Sequence, residues 1–194
     1  MWTTSVRNAA HTRRQWLTTN NAKYPLTADI FYKRKEQWKA MKKITSFCVD
    51  HDVLEKGMYI SRIDGDVITY DLRMVKPNKG GYLENAGLHT FEHLFATYVR
   101  NSAYSDDIIY VGPMGCRTGF YLLTRDHLSH EQALSLVQET MDFIAAYEGE
   151  IPGAQESREC GNYLDHDLAQ AKQYAADYGN VLKEWTTAKL HYED

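Results

Sequence analysis

The rhythm of apolar and polar positions changes several times along this chain, and each change marks an element. Ile44 to Val49 (ITSFCV) is a short apolar run ending at the polar break Asp50-His51-Asp52, and it predicts a strand. Met58–Ile63 and Val67–Met74 flank Asp64-Gly65-Asp66, which predicts a hairpin. Asp-Gly suits a type I′ turn, in which both central residues need positive φ. In the second arm Ile68, Tyr70, Leu72 and Met74 alternate with Val67, Thr69, Asp71 and Arg73. One face therefore enters a core while Arg73 faces the other way.

After the loop Pro77-Asn78-Lys79-Gly80-Gly81 the period lengthens to that of a helix. From about Glu84 to Ser102, Leu88, Phe91, Phe95 and Tyr98/Val99 share one side. Asp107–Val111 and Thr118–Thr124 read as two more strands around Gly112-Pro113-Met114-Gly115-Cys116. Ser129 opens a helix, and Gln132, three residues on, completes a capping box. Its inward positions are Leu134, Val137, Met141 and Ile144/Ala145. Beyond Ile151-Pro152-Gly153 and Cys160-Gly161-Asn162, a last helix from about Leu164 to Trp185 turns Leu168, Ala171, Ala175, Tyr178 and Leu182 inward. These elements predict an α+β fold, a small antiparallel sheet packed against helices in a single layered domain.

Composition adds a boundary. The 194 residues carry a net charge of −4. Residues 1–40 hold eight Lys or Arg against Asp29 and Glu36, a balance of +6, which leaves −10 for the remainder. This basic stretch has no glycine and no long period. It fits an organelle-type targeting peptide, a basic arm for a partner, or an upstream extension with Met41 as the working start. We expect an extension over residues 1–42 and one folded domain over 43–194. The acidic remainder argues against nucleic acid as a partner, since a phosphate-binding surface needs a basic excess. No apolar run has the length of a membrane span, so the cytoplasm is the expected compartment and no membrane partner is expected. Three cysteines do not make a disulfide framework; such residues serve as packed apolar groups, ligands or nucleophiles.

The segment His89-Thr90-Phe91-Glu92-His93 carries the sharpest chemistry. On a helix, residues four apart lie one turn above each other, so His89 and His93 can grip one divalent ion. Glu92 lies near the same face, free to move protons; this is the inverzincin arrangement of the metalloprotease motif. A catalytic ion needs a third protein ligand and an open position. Cys160, placed at a loop-to-helix junction, is the candidate, and Glu159 is its rival. Cys116 lies in a glycine-flanked turn, where Arg117, if it points inward, favours a thiolate. Cys48, inside an apolar run, reads as core. A small peptidase using Glu159 also accounts for the histidines but gives Cys116 no task, and three ligands with an adjacent Glu argue against a structural metal domain.

Three segments together resemble the signature blocks of the S-ribosylhomocysteine lyases, the LuxS family: His89–Ala96 (HTFEHLFA), Gly112–Leu122 (GPMGCRTGFYL) and Glu159–Leu168 (ECGNYLDHDL). Ser46-Phe47, Asp50-His51, Asp71-Leu72-Arg73 and Pro77-Asn78 resemble its N-terminal portion. The resemblance runs from about Lys43 almost to the C-terminus and leaves residues 1–40 outside. It implies a lyase that cleaves S-ribosylhomocysteine to homocysteine and 4,5-dihydroxy-2,3-pentanedione, the autoinducer-2 precursor, by carbonyl migration and β-elimination. It implies His89, His93 and Cys160 as ligands of Fe²⁺, with Zn²⁺ or Co²⁺ as substitutes, and Cys116 and Glu92 as the acid/base pair. Ser46, His51, Arg73 and Arg100 correspond to residues around the substrate. The resemblance also implies a homodimer with active sites at the interface, the Ser46/His51 segment serving the partner's site. Tyr110 stands where some members carry an aspartate at the substrate's amino-acid end.

Overall fold

A computed structural model describes residues 41–44 and 47–192, and the chain from Ile44 onward forms one unit. The basic segment 1–40 and Ser46 lie outside the described residues. Among the described residues four strands, β1 (Gly57–Asp64), β2 (Val67–Arg73), β3 (Ile108–Pro113) and β4 (Gly119–Arg125), form one antiparallel sheet in the order β1-β2-β4-β3. Three helices among the described residues, α1 (Asn85–Arg100), α2 (His130–Ala146) and α3 (Leu168–Leu182), complete an α+β architecture. Among the described residues no helix is long and apolar enough to cross a membrane.

The alternation in β2 has the expected geometric result. Ile68, Tyr70 and Leu72 pair with Thr124, Leu122 and Phe120 of β4, and these residues face the helices. Phe120 meets Phe91 and Phe95 of α1 at ring-centroid distances of 4.9 and 6.4 Å. Burial of each such ring contributes roughly 2 kcal/mol, which fixes α1 on β4. On α1, Leu88, Phe91, Phe95 and Val99 are buried at helical spacing, as are Leu134, Val137, Met141 and Ile144 on α2. Ser129 caps α2 through the full capping box with Gln132.

The opposite sheet face departs from expectation. Arg73 does point away from the helices, yet it is as buried as the core, with only 3% exposed. Asp71 accepts from Arg73 Nε and Nη2 at 3.1 and 2.5 Å, and Tyr192 donates to Asp71 Oδ2 at 3.0 Å. The C-terminal segment supplies this cover: Leu190 accepts from the Ile60 amide, and Trp185 Nε1 donates to Met58 O.

Four local readings are corrected. The described residues of Ile44–Val49 form no strand, and the Phe47 amide donates to Ile44 O at 2.9 Å. Cys48 is accordingly exposed, not core. The hairpin pairs Asp64 with Val67, so its two-residue loop is Gly65-Asp66, and only Gly65 has positive φ (64°). Glycine first in the loop is the requirement of a type II′ turn, not I′. The last helix starts at Leu168 rather than Leu164, because Asp167 accepts from the Gln170 amide at 2.9 Å and caps it.

Candidate metal centre and acid/base turn

The two histidines of the pentapeptide lie one turn apart on α1, with ring centroids 4.7 Å apart. Each ring is fixed from behind. His89 Nδ1 donates to Asp165 O at 2.9 Å and His93 Nδ1 donates to Pro152 O at 2.8 Å. A carbonyl only accepts, so both Nδ1 atoms carry the proton and both Nε2 atoms keep a lone pair. Carbonyl-backed imidazoles of this kind are typical metal ligands.

Cys160 Sγ lies 3.3 Å from His89 Nε2. It sits in the turn before α3 and not at the helix terminus, since the Asp167 cap begins the helix seven residues later. Its sulfur accepts from the Asn162 amide at 3.5 Å. The rival Glu159 is exposed, and its Oε2 takes the amides of Gln155 and Glu156 at 3.0 and 3.2 Å. It does not join the cluster.

A fourth residue does. His89, His93, Cys160 and His166 each offer a ligand atom within 4.8 Å of the others. The His166 ring stacks on His89 at 4.0 Å and stands edge-on to His93 at 4.9 Å. Its Nδ1 lies 3.1 Å from Thr90 Oγ1. That oxygen gives its one proton to Ala86 O at 2.9 Å and accepts the Asp167 amide at 2.9 Å. His166 must therefore donate from Nδ1, which leaves its Nε2 with a lone pair. That Nε2 is buried and has no hydrogen-bond partner among the described residues. Burial, and then the neighbouring His89 and His93, hold the His166 pKa below the ordinary histidine value. Ligand bonds of about 2.0–2.3 Å at tetrahedral angles put donor atoms on the order of 3.5 Å apart. The sulfur–nitrogen distance, the preset tautomers and the orphaned Nε2 all fit a divalent cation of the Fe²⁺, Co²⁺ or Zn²⁺ type. His166 lies within Glu159–Leu168, and a third histidine beside an aspartate (Asp165-His166-Asp167) was the available sequence signal.

Glu92 lines a groove of about 370 Å³ with His93, Ala96, Thr97, Pro152 and Gly153. A larger depression, about 540 Å³, lies between α2 and α3 around Met141 and Gly179 and holds none of the four clustered residues. The histidine groove is the one with chemistry.

Cys116 belongs to a second constellation at the β3–β4 turn. Its Sγ lies 3.0 Å from Thr118 Oγ1, which in turn accepts from Arg73 Nη1 at 2.5 Å. Burial opposes the Arg73 charge, but Asp71 beside it outweighs this and holds the guanidinium above its ordinary pKa. Arg117, expected as the local cation, does not take this place. It adopts φ 59° and turns out to Glu84, 3.6 Å away, and to the Tyr82 ring at 6.0 Å. His51 is half-buried, its Nδ1 against Val49 O at 2.9 Å, and Arg100 donates to Ile109 O at 3.0 Å from the end of α1. Neither hydrogen-bonds to the metal cluster or to Cys116.

Residues 44–189 match the family described as S-Ribosylhomocysteinase (LuxS). The chain is 49% identical over 158 residues to an S-ribosylhomocysteine lyase of Phocaeicola vulgatus, covering 78% of this chain and 98% of that protein. It is 48% identical over 160 residues to one of Porphyromonas gingivalis, with 79% and 100% covered, and 42% identical over 159 residues to one of Clostridium acetobutylicum, with 79% and 100% covered. The chain belongs to the LuxS family. The LuxS match begins where the described unit begins and spans the strands, the helices and both constellations.

Proposed function

We propose that this LuxS-family chain cleaves S-ribosylhomocysteine to homocysteine and 4,5-dihydroxy-2,3-pentanedione. The observation that carries the reading is the His89/His93/Cys160 cluster with its tautomers preset for a cation, in a chain 42–49% identical to proteins of that name. His89, His93 and Cys160 would hold the ion, with Fe²⁺ as the working metal and Zn²⁺ or Co²⁺ as substitutes. When bound, the metal supplies Lewis acidity, which makes carbon-bound hydrogens beside a carbonyl easier to remove.

The chain's own groups then divide the proton traffic. Cys116, exposed at its turn, takes a proton from one ribose carbon and returns it to the next, which moves the carbonyl along the sugar. Glu92, one helical turn from His89 and beside His93, shuttles protons among the substrate oxygens. Once the carbonyl stands at C3, removal of the neighbouring proton expels the homocysteine thiolate by β-elimination. Arg73, His51, Arg100 and Ser46 are assigned to substrate binding. The protein works as a homodimer with its sites at the interface, where the Ser46/His51 segment reaches the partner's site.

The test is thiol release from S-ribosylhomocysteine by anaerobically purified, Fe²⁺-loaded protein, run beside a peptide-cleavage assay. Thiol release and no peptide cleavage are expected; the reverse overturns the assignment. Cys116→Ala and Glu92→Gln are expected to lose at least about a hundredfold in turnover while keeping the metal. Full turnover by Cys116→Ala rules out its acid/base role.

A further inference from the structure

The assigned roles leave one buried hydroxyl between Arg73 and Cys116 unexplained. Thr118 is 2% exposed, and its Oγ1 lies 2.5 Å from Arg73 Nη1 and 3.0 Å from Cys116 Sγ. A guanidinium only donates, so Arg73 occupies a lone pair of Thr118 Oγ1. The hydroxyl proton then has two sulfur acceptors among the described residues, Cys116 Sγ at 3.0 Å and Met114 Sδ at 3.9 Å. Cys116 is nearer, and it is the one able to carry negative charge. Were the thiol the donor, the Thr118 proton would be left to the thioether, a weak acceptor. With Arg73 donating to it, the hydroxyl keeps its own proton for the nearer sulfur, in the order Arg73 to Thr118 and Thr118 to the Cys116 thiolate.

The backbone holds this hydroxyl in place. Thr118 O accepts the amides of both Met74 and Val75 at 2.9 Å, tying the residue to the end of β2 just beyond Arg73. A β-branched side chain on a fixed backbone has few χ1 choices. Two of the other charged groups around the site are engaged elsewhere. Asp71 on β2 is taken by Arg73 and by Tyr192 of the C-terminal segment, and Arg117 of the same turn pairs with Glu84. Tyr121 on β4, with Arg62 of β1 acting on it, is held above the ordinary tyrosine pKa by burial and by Asp71.

We propose that Thr118 is a positioning residue for the reaction, its hydroxyl passing the polarisation of Arg73 to the Cys116 sulfur and favouring the thiolate. The proposal rests on the acid/base role given to Cys116. The experiment follows alkylation of Cys116 by iodoacetamide against pH in full-length, metal-loaded protein, with mass spectrometry of the Cys116 peptide to separate it from exposed Cys48. Thr118→Val is expected to move the midpoint up by about one pH unit, making alkylation about tenfold slower below the midpoint, with metal content unchanged. Thr118→Ser, which keeps the hydroxyl, is expected to follow the wild-type profile. A superimposable Thr118→Val profile overturns the proposal, as does a Thr118→Ser profile shifted by a full unit. The Ser variant decides the matter even where Val does not fold. Turnover by Cys116→Ala would remove the acid/base reading itself; an inactive Cys116→Ala beside an unshifted Thr118→Val removes the Thr118 role alone.

Discussion

His166 stacks on His89 with ring centroids 4.0 Å apart and hangs from Thr90, so it shapes the site whichever atom a cation takes. Removing the ring frees His89 to tilt and deletes a buried lone pair beside the other donors. His166→Ala is expected to weaken Fe²⁺ or Zn²⁺ binding at least about tenfold, measured by competition with a chromophoric chelator. Unchanged affinity would show that neither the stack nor the Nε2 matters. At this scale the sequence was partly legible. The spacing of His89 and His93 on one helix face follows from the helical repeat, whereas His166 comes together with Thr90 across 76 residues, a meeting no local period encodes. Arg117 misled for the same reason: adjacency to Cys116 in the chain says nothing of the direction that φ 59° imposes on its side chain.

The elements place the two constellations, and one close backbone approach controls the second. Gly119 opens β4 opposite Arg73, and a Cβ there would lie 2.0 Å from the Leu72 carbonyl oxygen. The obstacle is backbone, so relief requires β2 and β4 to part at the very point where Thr118 ties Arg73 to Cys116. Gly119→Ala is expected to cost about 3 kcal/mol by urea unfolding and to lower turnover; an Ala variant of wild-type stability would mean that the strands part freely there. Helix faces and the α2 cap were readable because each depends on residues within one or two turns of each other. The false strand at Ile44–Val49 and the late start of α3 were not. An apolar run becomes a strand only where it pairs with a neighbour, a long-range event that local pattern does not encode. The Asp167 cap, not apolar period, decides where α3 begins.

For the whole molecule, the turn that replaced the expected strand matters most. Ile44, Phe47 and Val53 stand 55%, 65% and 61% exposed within a few residues of His51. Such a cluster suits burial in the proposed homodimer. Wild-type protein is expected to sediment as a dimer, and Phe47→Asp to shift it toward monomer with loss of turnover. A fully active monomer would overturn the interface reading.

Short-range periodicity carries the α+β class, the amphipathic faces of α1, α2 and α3, the hairpin between β1 and β2, and the histidine pair with its interposed Glu92. Tertiary structure decided what required distant segments to meet. It buried Arg73 under the C-terminal segment beside Asp71 and Tyr192, and it brought His166 to His89 and left Glu159 out. It also set the surroundings of Cys116. The glycine-flanked turn was visible in the chain, but the cation that serves it comes from a strand end 45 residues away from Thr118. Only packing selects between a neighbour in sequence and a neighbour in space.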